Sequence, residues 1–324
     1  ERHATSKIRE SRDLEYVRTM GFRGEALASI AAIAKVQMLS KAIGQDNGYQ
    51  IDVEGGDIVD KHEAGCAPGT SITVKELFYN TPVRYKFLKK DFTESGYIED
   101  AIKRLALVNP NISFKFINNG KIELQTSGNG RMEDVVYAIY GKEVLENIIP
   151  VDYQYEDIYI KGVIGKPMIA RSNRANQLFF VNKRYITDKV FLSAVEKAYK
   201  GLIPLGRFGF CILNIEMNPA YVDVNVHPAK LEVRFSNEGQ IFKAIYETVK
   251  QGLTKEDLVR NAIRYEEGQP YVDRVLDDGK TESIKVEIAP YIQGFVKFSS
   301  GVEEGYKLKN QTVISNSRRG PGGA

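Results

Sequence analysis

Apolar residues follow two different periods along this chain, and the two periods predict both helices and strands. Leu27, Ile30, Ile33 and Ala34 recur at helical spacing, whereas Ile72 and Val74 alternate with polar neighbours as in a strand covered on one face. The helical pattern predicts helices over residues 25–34, 98–108, 132–140, 188–202 and 241–253. The alternating or continuously apolar pattern predicts strands over residues 36–40, 49–53, 57–61, 71–74, 112–117, 121–125, 158–164, 178–181 and 210–217.

Turn and cap residues separate these elements. An Asn-Gly pair at Asn47-Gly48 and another at Asn119-Gly120 each lie between two predicted strands and predict antiparallel hairpins. Pro110 forbids continuation of the helix before it, and Gly141 occupies a left-handed C-cap position. Asp188 is expected at the N-cap or in the first turn of the helix that follows it.

The order of elements predicts an α+β protein with two domains and a tail. A glycine pair around Asn129 marks the expected boundary, which gives domains over residues 1–130 and 131–254. Residues 255–324 change character: one short helix near Leu258 and Ile263 and short strands over 275–279, 284–288 and 295–298 are expected among charged residues. The final glycine-rich residues carry no folding signal, so we expect a partly disordered tail or linker without an assigned function.

Composition limits the class of protein. The chain has 324 residues, 43% of them hydrophobic, which is enough for two domains with their own cores. It has no apolar run long enough for a membrane helix and no signal-peptide pattern, so a soluble, intracellular protein with no membrane partner is expected. The first residue is Glu1, and the sequence is expected to be part of a longer product. The two cysteines, Cys66 and Cys211, are too few for a disulfide framework and are expected to be small buried residues.

One stretch combines glycines with a helix start. Gly21, Phe22, Arg23 and Gly24 precede the helical pattern that begins at Glu25, Ala26 and Leu27. The backbone N–H groups at such a junction lack intrahelical partners and favour a phosphate. A tight turn before an amphipathic helix explains the same glycines equally well, so the pattern alone leaves both interpretations open.

Four motifs in order give the chain a family resemblance. They are RHATSKI at residues 2–8, GFRGEALASI at 21–30, Gly69-Thr70 followed by LFYNTPVR at 77–84, and VDVNVHPAKLEVRF at 222–235. Together they resemble the N-terminal ATPase half of the MutL family of DNA mismatch repair proteins, within the GHKL superfamily. The resemblance covers roughly residues 1–253.

The resemblance implies a partial GHKL-type ATPase sandwich without its extreme N-terminus, then a second α+β domain like that of a small-subunit ribosomal protein. ATP would be the cofactor, with a lid over its phosphates and a catalytic lysine from the second domain. The residues implied in nucleotide binding are Thr5, Ser6, Lys7, Gly21, Phe22, Arg23, Gly24, Glu25, Ala26, Leu27, Thr70, Asn225 and Lys230. Lys230 would reach the γ-phosphate and Asn225 would support its loop, whereas an ordinary surface lysine is the alternative.

Basic residues suggest a second kind of partner. Arg84, Lys86, Lys183, Arg184 and Lys189 are the candidates for binding double-stranded DNA without reading its sequence. A solvated helix face is the ordinary explanation of such a cluster as the one around Arg84. The resemblance further implies mismatch-recognition and downstream repair proteins as partners, dimerisation with a second copy on ATP binding, and a cytoplasmic, nucleoid-associated location.

The sequence also lacks motifs that this superfamily requires. A Glu and an Asn on one helix and an Asp-x-Gly-x-Gly loop, which supply the general base, the Mg²⁺ ligand and the adenine contact, do not occur in these residues. The three histidines lack ligands at metal spacing, so no protein metal site is predicted. Hydrolysis by this chain alone is expected to be poor. A non-catalytic DNA-binding or adaptor module, and another member of the superfamily such as a topoisomerase subunit or a chaperone, are the alternatives.

Overall fold

The computed structural model of the chain describes residues 24–223, 234–261, 263–276, 278–288 and 298–300. These residues form two compact units, each with its own helices and strands. Of the described residues, the first unit comprises 24–139, 182–184 and 218–223, and the second comprises 140–181, 185–217 and those from 234 onwards. The predicted α+β class is confirmed.

The first unit begins with a short helix and a four-stranded sheet. Its elements are α1 (Ala26–Ala31), β1 (Lys35–Lys41), β2 (Gly48–Glu54), β3 (Asp57–Ala64), β4 (Gly69–Lys75), α2 (Pro82–Tyr85), α3 (Asp91–Val108), β5 (Lys115–Asn118) and β6 (Lys121–Gln125). Strands β1–β4 form an antiparallel sheet in the order β3-β2-β1-β4, and β5 pairs with β6 in a hairpin. The antiparallel pairing predicted here is confirmed.

The register of the four-stranded sheet places its apolar residues on one face. Val36 lies opposite both Val53 and Val74, and Met38 lies opposite Ile51 and Ile72 in the next pair of rows. Ala31 and Ala34 pack with Val36 and Val53 at the end of the sheet nearest α1. On the edge strand β4, Ile72 and Val74 are 48% and 43% exposed, although Val74 lies in the same row as Val36, so the described residues do not cover the β4 side of this face.

The first turn differs from the prediction. The chain reverses around Gly44, which has φ +85°, and Gly48 is already the first residue of β2. A Cβ added at Gly48 would lie 2.5 Å from the Sγ atom of Cys66 and 2.9 Å from the carbonyl oxygen of Ser40. Glycine is therefore required at position 48 by a close approach rather than by a turn. Cys66 is half-buried, not fully buried as predicted.

The second Asn-Gly hairpin forms as predicted. Asn119 and Gly120 both have positive φ, at 48° and 80°, which is the geometry of the tight turn preferred between twisted strands. Helix α3 ends at Val108, just before Asn109 and Pro110, also as predicted. Helix α1, in contrast, is six residues long and ends at Ala31 rather than at residue 34.

The second unit contains a five-stranded sheet covered by helices. Helix α4 (Met132–Leu145) begins in the first unit and is interrupted at Gly141, where φ is +82°. Its first segment therefore ends at Gly141 as predicted, and a second helical segment follows. The next elements along the chain are β7 (Ile148–Tyr155), β8 (Ile158–Gly165), β9 (Gln177–Val181), β10 (Arg184–Ile186), α5 (Lys189–Tyr199), β11 (Cys211–Glu216), β12 (Val222–Asp223), β13 (Arg234–Phe235) and α6 (Glu238–Asn261). Of these, β12 belongs to the first unit, as does the 3-10 helix just before it. Two short 3-10 helices lie at Pro167–Ile169 and Pro219–Tyr221.

Strand order in this sheet is β10-β9-β11-β8-β7, so β11 lies at its centre. It pairs antiparallel with β8 and parallel with β9. Helices α5 and α6 pack on each other, and α6 also contacts β7 and β8. Gly252 allows this approach, because a Cβ there would lie 2.7 Å from the Cγ1 atom of Val151. Asp188 caps α5 as predicted, accepting a hydrogen bond from the backbone N–H of Val190 at 2.7 Å.

Residues after α6 differ from the prediction. Helix α6 continues to Asn261, so the separate short helix near Leu258 is wrong. Strands β14 (Ile263–Glu266), β15 (Gln269–Val275) and β16 (Thr281–Lys285) form an antiparallel sheet, and β17 (Glu287–Ile288) pairs with β18 (Phe298–Ser300). Within the first of these sheets, the Nε atom of Arg264 on β14 donates a hydrogen bond to the carboxylate of Asp273 on β15 at 3.1 Å. Among the helices that the structure describes, none combines the length and the apolar character needed to cross a membrane.

Candidate functional site

Two of the four sequence motifs meet in the structure. Helix α1 belongs to the GFRGEALASI motif, and the turn after β4 carries LFYNTPVR. The side-chain Nδ2 atom of Asn80 donates to the carbonyl oxygen of Ala32 at 2.9 Å, and the backbone N–H of Phe78 donates to Ile33 at 2.7 Å. Ala32 is the C-cap of α1 and Ile33 is the next residue, so both bonds satisfy carbonyl groups at or just after the helix end, where intrahelical donors are lacking. The turn therefore fixes the C-terminal end of α1.

The same turn carries backbone strain and an ion pair. Glu76 and Phe78 have positive φ values of 51° and 66°, which non-glycine residues adopt at a cost. The Nζ atom of Lys35, at the start of β1, lies 3.1 Å from the carboxylate of Glu76 and 5.6 Å from the centre of the Tyr79 ring. The hydrogen bond and charge of Glu76 raise the pKa of Lys35. Contacts to both the end of α1 and the start of β1 therefore stabilise the strained conformation of this turn.

Part of the predicted phosphate loop can be described. Gly24 has φ +63°, and Glu25 follows as the N-cap of α1 without a capping hydrogen bond from its side chain. Ala26 and Leu27 begin the helix, and Leu27 is 41% exposed. The first backbone N–H groups of a helix have no intrahelical acceptor, so this end of α1 offers donors of the type that phosphate oxygens accept.

Thr70 lies at the start of β4, opposite Ser40 of β1. Its hydroxyl group is 2.8 Å from the hydroxyl of Ser40, and the Ser40 hydroxyl also reaches the carbonyl oxygen of Gly69 at 3.4 Å. Thr70 is exposed, and a hydroxyl can donate one hydrogen bond while it accepts another. When the Ser40 hydroxyl donates to Thr70 rather than to Gly69, the proton of the Thr70 hydroxyl is free to donate to a ligand at the rim of the sheet.

The remaining predicted nucleotide residues lie outside the described residues. These are Thr5, Ser6, Lys7, Gly21, Phe22, Arg23, Asn225 and Lys230. Their contact with a nucleotide stays a prediction, as does the convergence of Lys230 with the glycine loop.

Arg84 and Lys86 lie at the short helix α2, and both are exposed. Phe87 beside them is 81% exposed and Leu88 is 39% exposed, so these apolar side chains do not anchor the segment in a core. Lys89 donates to the hydroxyl of Tyr97 at 2.6 Å, which raises its pKa. The segment therefore exposes both cations and apolar side chains.

Lys183, Arg184 and Lys189 lie close together in sequence around the turn between β9 and β10. Asn182 and Lys183 are the central residues of this turn, with φ values of 48° and 68°. Lys183 and Lys189 are exposed, whereas Arg184 is half-buried and burial lowers the pKa of its guanidinium group. The tight turn thus presents the Lys183 side chain at the edge of the sheet.

A donor set for a metal ion does not occur in the described residues, where no three His, Cys, Asp or Glu side chains are grouped to hold one. Sequence reasoning also missed two features. One is the contact of Asn80 with Ala32, which joins residues 48 positions apart and leaves no local pattern. The other is a pair of lysines on α5 and α6, Lys197 and Lys250, which both lie against the ring of Tyr246.

Comparison with known proteins assigns these motifs to one class. Residues 136–254 match the family model described as "DNA mismatch repair protein, C-terminal domain". The crystal structure of the N-terminal domain of a DNA repair protein covers 75% of this chain and 79% of its own, at 26% identity and a TM-score of 0.64. The ATPase domain of Aquifex aeolicus MutL, complexed with ADP, covers 65% of this chain and 76% of its own, at 27% identity and a TM-score of 0.50. The fold is that of the GHKL-type ATPase domains of mismatch repair proteins.

Curated relatives identify the family. The chain is 44% identical over 274 residues to the DNA mismatch repair protein MutL of Caldanaerobacter subterraneus subsp. tengcongensis, a match that covers 83% of this chain and 46% of that protein. It is 48% identical over 254 residues to MutL of Clostridium botulinum, covering 78% of this chain and 38% of that protein. The chain belongs to the MutL family of DNA mismatch repair proteins. It spans less than half the length of these two relatives.

Proposed function

We propose that this chain is the nucleotide- and DNA-contacting part of a MutL-type mismatch repair clamp, in which ATP binding closes the clamp on DNA. The observation that supports this most strongly is the identity of 44–48% to MutL proteins over about four fifths of the chain. Within the matched region, the GFRGEALASI helix and the LFYNTPVR turn are joined through Asn80 and Ala32.

The nucleotide site of this proposal uses donors for phosphate oxygens. Backbone N–H groups at Gly24–Leu27 and the hydroxyl of Thr70 are hydrogen-bond donors without charge, and they fit an anion. Lys230 would supply a positive charge toward the terminal phosphate, where negative charge develops during phosphoryl transfer. Thr5, Ser6, Lys7 and Asn225 complete the proposed set, together with Gly21, Phe22 and Arg23.

Mg²⁺ is expected to accompany ATP, since it neutralises phosphate charge in enzymes of this kind. The described residues do not supply a carboxylate cluster for it. The parts of this chain that can be assigned therefore bind and orient the phosphates, and hydrolysis by the chain alone is expected to be slow.

A fluorescent, nonhydrolysable ATP analogue tests the nucleotide site. Binding is expected to weaken in Lys230→Ala and, less strongly, in Thr70→Val, which keeps the shape of the side chain but removes its hydroxyl. Thr73→Val is the matched control, because Thr73 lies on β4 but alternates to the other face of the sheet. Equal binding by wild type and Lys230→Ala would contradict the assignment. Robust Mg²⁺-dependent turnover by this chain alone would instead contradict the separate expectation of slow hydrolysis.

DNA is the second proposed ligand, bound through its phosphates without sequence preference. Arg84, Lys86, Lys183, Arg184 and Lys189 are the proposed contacts, and the clamp would dimerise with a second copy on ATP binding. Mismatch-recognition and downstream repair proteins would be its further partners, at the nucleoid in the cytoplasm.

Fluorescence anisotropy with a labelled duplex over a range of salt concentrations tests the DNA proposal. The affinity is expected to fall steeply with salt, with a logarithmic slope of about −0.9 for each phosphate contact. Replacing Lys183 and Lys189 by Gln should make the slope shallower by about 1.8 in total. An affinity that does not change with salt would exclude binding through phosphates.

A further inference from the structure

Helices α5 and α6 of the second unit carry a group of cations and aromatic rings that the proposed sites do not use. The Nζ atoms of Lys197 on α5 and Lys250 on α6 lie 5.6 Å and 5.3 Å from the ring centre of Tyr246. Lys197 also lies 5.4 Å from the ring of Phe242. We call Lys197, Phe242, Tyr246 and Lys250 the lysine–tyrosine face.

The aromatic pair gives this face a fixed geometry. Phe242 and Tyr246 are one turn apart on α6, with ring centres 6.4 Å apart and planes inclined by only 10°. Both side chains are half-buried, so packing restricts their rotamers. An ammonium group near an aromatic ring is attracted by the ring's quadrupole, which favours conformers that keep both lysines over α6.

Several cations of the same unit pair with a carboxylate, and within the described residues Lys197 and Lys250 do not. Arg174 pairs with Glu196 at 2.6 Å, and Lys161 pairs with Asp152 at 3.5 Å. For Lys197 and Lys250, no Asp or Glu oxygen of the described residues lies within 4.0 Å of the ammonium group. Their positive charge is therefore uncompensated by an ion pair and open to an anionic ligand.

Helix α5 connects this face to a proposed DNA contact. Lys189, Ser193 and Lys197 of α5 are all exposed and follow one another at spacings of four residues, and the exposed Lys200 is the C-cap of the helix. This spacing places the first three on one side of the helix. Lys189 and Lys197 are about 12 Å apart along the axis at 1.5 Å per residue. A line of positive charge thus runs from Lys189 to the lysine–tyrosine face.

From this arrangement we propose that the lysine–tyrosine face binds backbone phosphates of double-stranded DNA and extends the DNA path that begins at Lys189. The inference rests on the proposed DNA binding and adds a surface to it. Lysine ammonium groups and the hydroxyl of Tyr246 are donors that phosphate oxygens accept, and such contacts position DNA without reading its sequence.

An acidic protein partner fits the same face less well. Protein interfaces are depleted of lysine and depend on apolar anchors that become buried. Here the two rings are already half-buried, and the lysine ammonium groups lie 5.3–5.6 Å from their centres. The surface offers positive charge in a line, which matches a phosphate backbone.

The test compares two double variants of the whole chain that lose the same charge. Lys197→Gln with Lys250→Gln is expected to make the salt slope of duplex binding shallower by about 1.8, in the anisotropy assay. Lys161→Gln with Lys285→Gln is the control, since both of these lysines are exposed on strands of the same unit and neither lies in the line along α5. Its slope should remain that of the wild type. Tyr246→Phe keeps the ring and removes the hydroxyl, and it should weaken binding less than the Lys197/Lys250 double variant.

Three outcomes separate this inference from the DNA proposal on which it rests. If wild-type binding depends on salt but the Lys197/Lys250 variant equals the control variant, the inference is overturned and DNA binding stands. If the wild type does not bind duplex at all, the DNA proposal itself fails. If the variant loses binding to polyglutamate while its duplex binding is unchanged, the face recognises an acidic peptide and the inference is again overturned. Circular dichroism establishes that each variant is folded.

Discussion

The side chain of Asn80 donates a hydrogen bond to the carbonyl oxygen of Ala32 at 2.9 Å. This one bond ties the end of helix α1 to the LFYNTPVR turn, 48 residues later in the chain. Next to it, the hydroxyl oxygen of Thr81 is buried without a hydrogen-bond partner in the described part of the chain. The two neighbouring residues are therefore expected to respond in opposite ways to removal of their polar groups.

Asn80→Ala should destabilise this region by about 1 kcal/mol, because a helix-end carbonyl loses its donor. Asn80→Asp should cost at least as much, since it places a carboxylate beside that carbonyl. Thr81→Val, which removes a group that bonds to nothing, is expected to be neutral or slightly stabilising. Hydrogen exchange of the Phe78 amide, which donates to Ile33, measures the local effect. Equal exchange rates in all three variants would contradict the role of Asn80.

A substitution in the turn at Lys183 should change folding stability and DNA binding in opposite directions. Lys183 has φ +68°, a conformation that costs an L-residue free energy and costs glycine none. Lys183→Gly is therefore expected to raise the stability of the β9–β10 hairpin by about 0.5–1 kcal/mol while it weakens DNA binding. Asn182→Gly is the control, since Asn tolerates positive φ better and carries no charge. A loss of stability in Lys183→Gly would show that the side chain has a structural role.

Gly209 packs closely against the ring of Tyr199 in the core of the second unit. The hydroxyl of the fully buried Tyr199 lies 2.5 Å from the carbonyl oxygen of Gly165 and 3.3 Å from that of Phe210. Tyr199→Phe should cost about 1–3 kcal/mol, because it leaves a buried acceptor short of a donor. Gly209→Ala should cost more, since the added Cβ would lie 2.3 Å from the Tyr199 ring. The chain has no tryptophan, so urea unfolding is followed by circular dichroism.

The two cysteines should differ in reactivity and in their effect on alkaline stability. Burial raises the pKa of the Cys211 thiol far above its usual range. Because the thiolate is the reactive form, a disulfide reagent should modify half-buried Cys66 in the native protein and Cys211 only after unfolding.

The same shift predicts a pH dependence with a definite sign. The unfolded state loses the Cys211 proton near pH 9, whereas the folded state retains it, so stability falls as pH rises above that value. The loss should approach about 1.4 kcal/mol per pH unit from this group. Cys211→Ala removes this contribution, and unfolding midpoints measured below and above about pH 9 should diverge less than in wild type. An unchanged pH dependence in that variant would contradict the prediction.

Local sequence patterns predicted most of the first unit and of helices α5 and α6. They did not predict β7, because Pro150 within Ile148–Tyr155 argues against a strand. The structure explains the exception: β7 is at the edge of its sheet, where a missing backbone donor is tolerated. Gly48 was misassigned to a turn because its reason for being glycine, the approach of Cys66, lies 18 residues away.

For the candidate site, the sequence predicted the motifs but not the contacts between them. Its motifs could be found from sequence because each is short and contiguous. Contacts between motifs could not, as Asn80 with Ala32 and Lys197 with Tyr246 both depend on tertiary packing. Lys197 and Lys250 are 53 positions apart and only the packing of α5 on α6 reveals them as a pair.

The place of β11 has a consequence for biosynthesis. This strand lies between β8 and β9, although both of them precede it in the chain. The β7–β8 and β9–β10 hairpins can each form as soon as they leave the ribosome. They cannot join into one sheet until β11, which ends at residue 216 and lies between them, has emerged. Until then their inner edges carry unpaired backbone groups, which are open to wrong partners. A translational pause before β11 should therefore increase misfolding, and a pause after it should not.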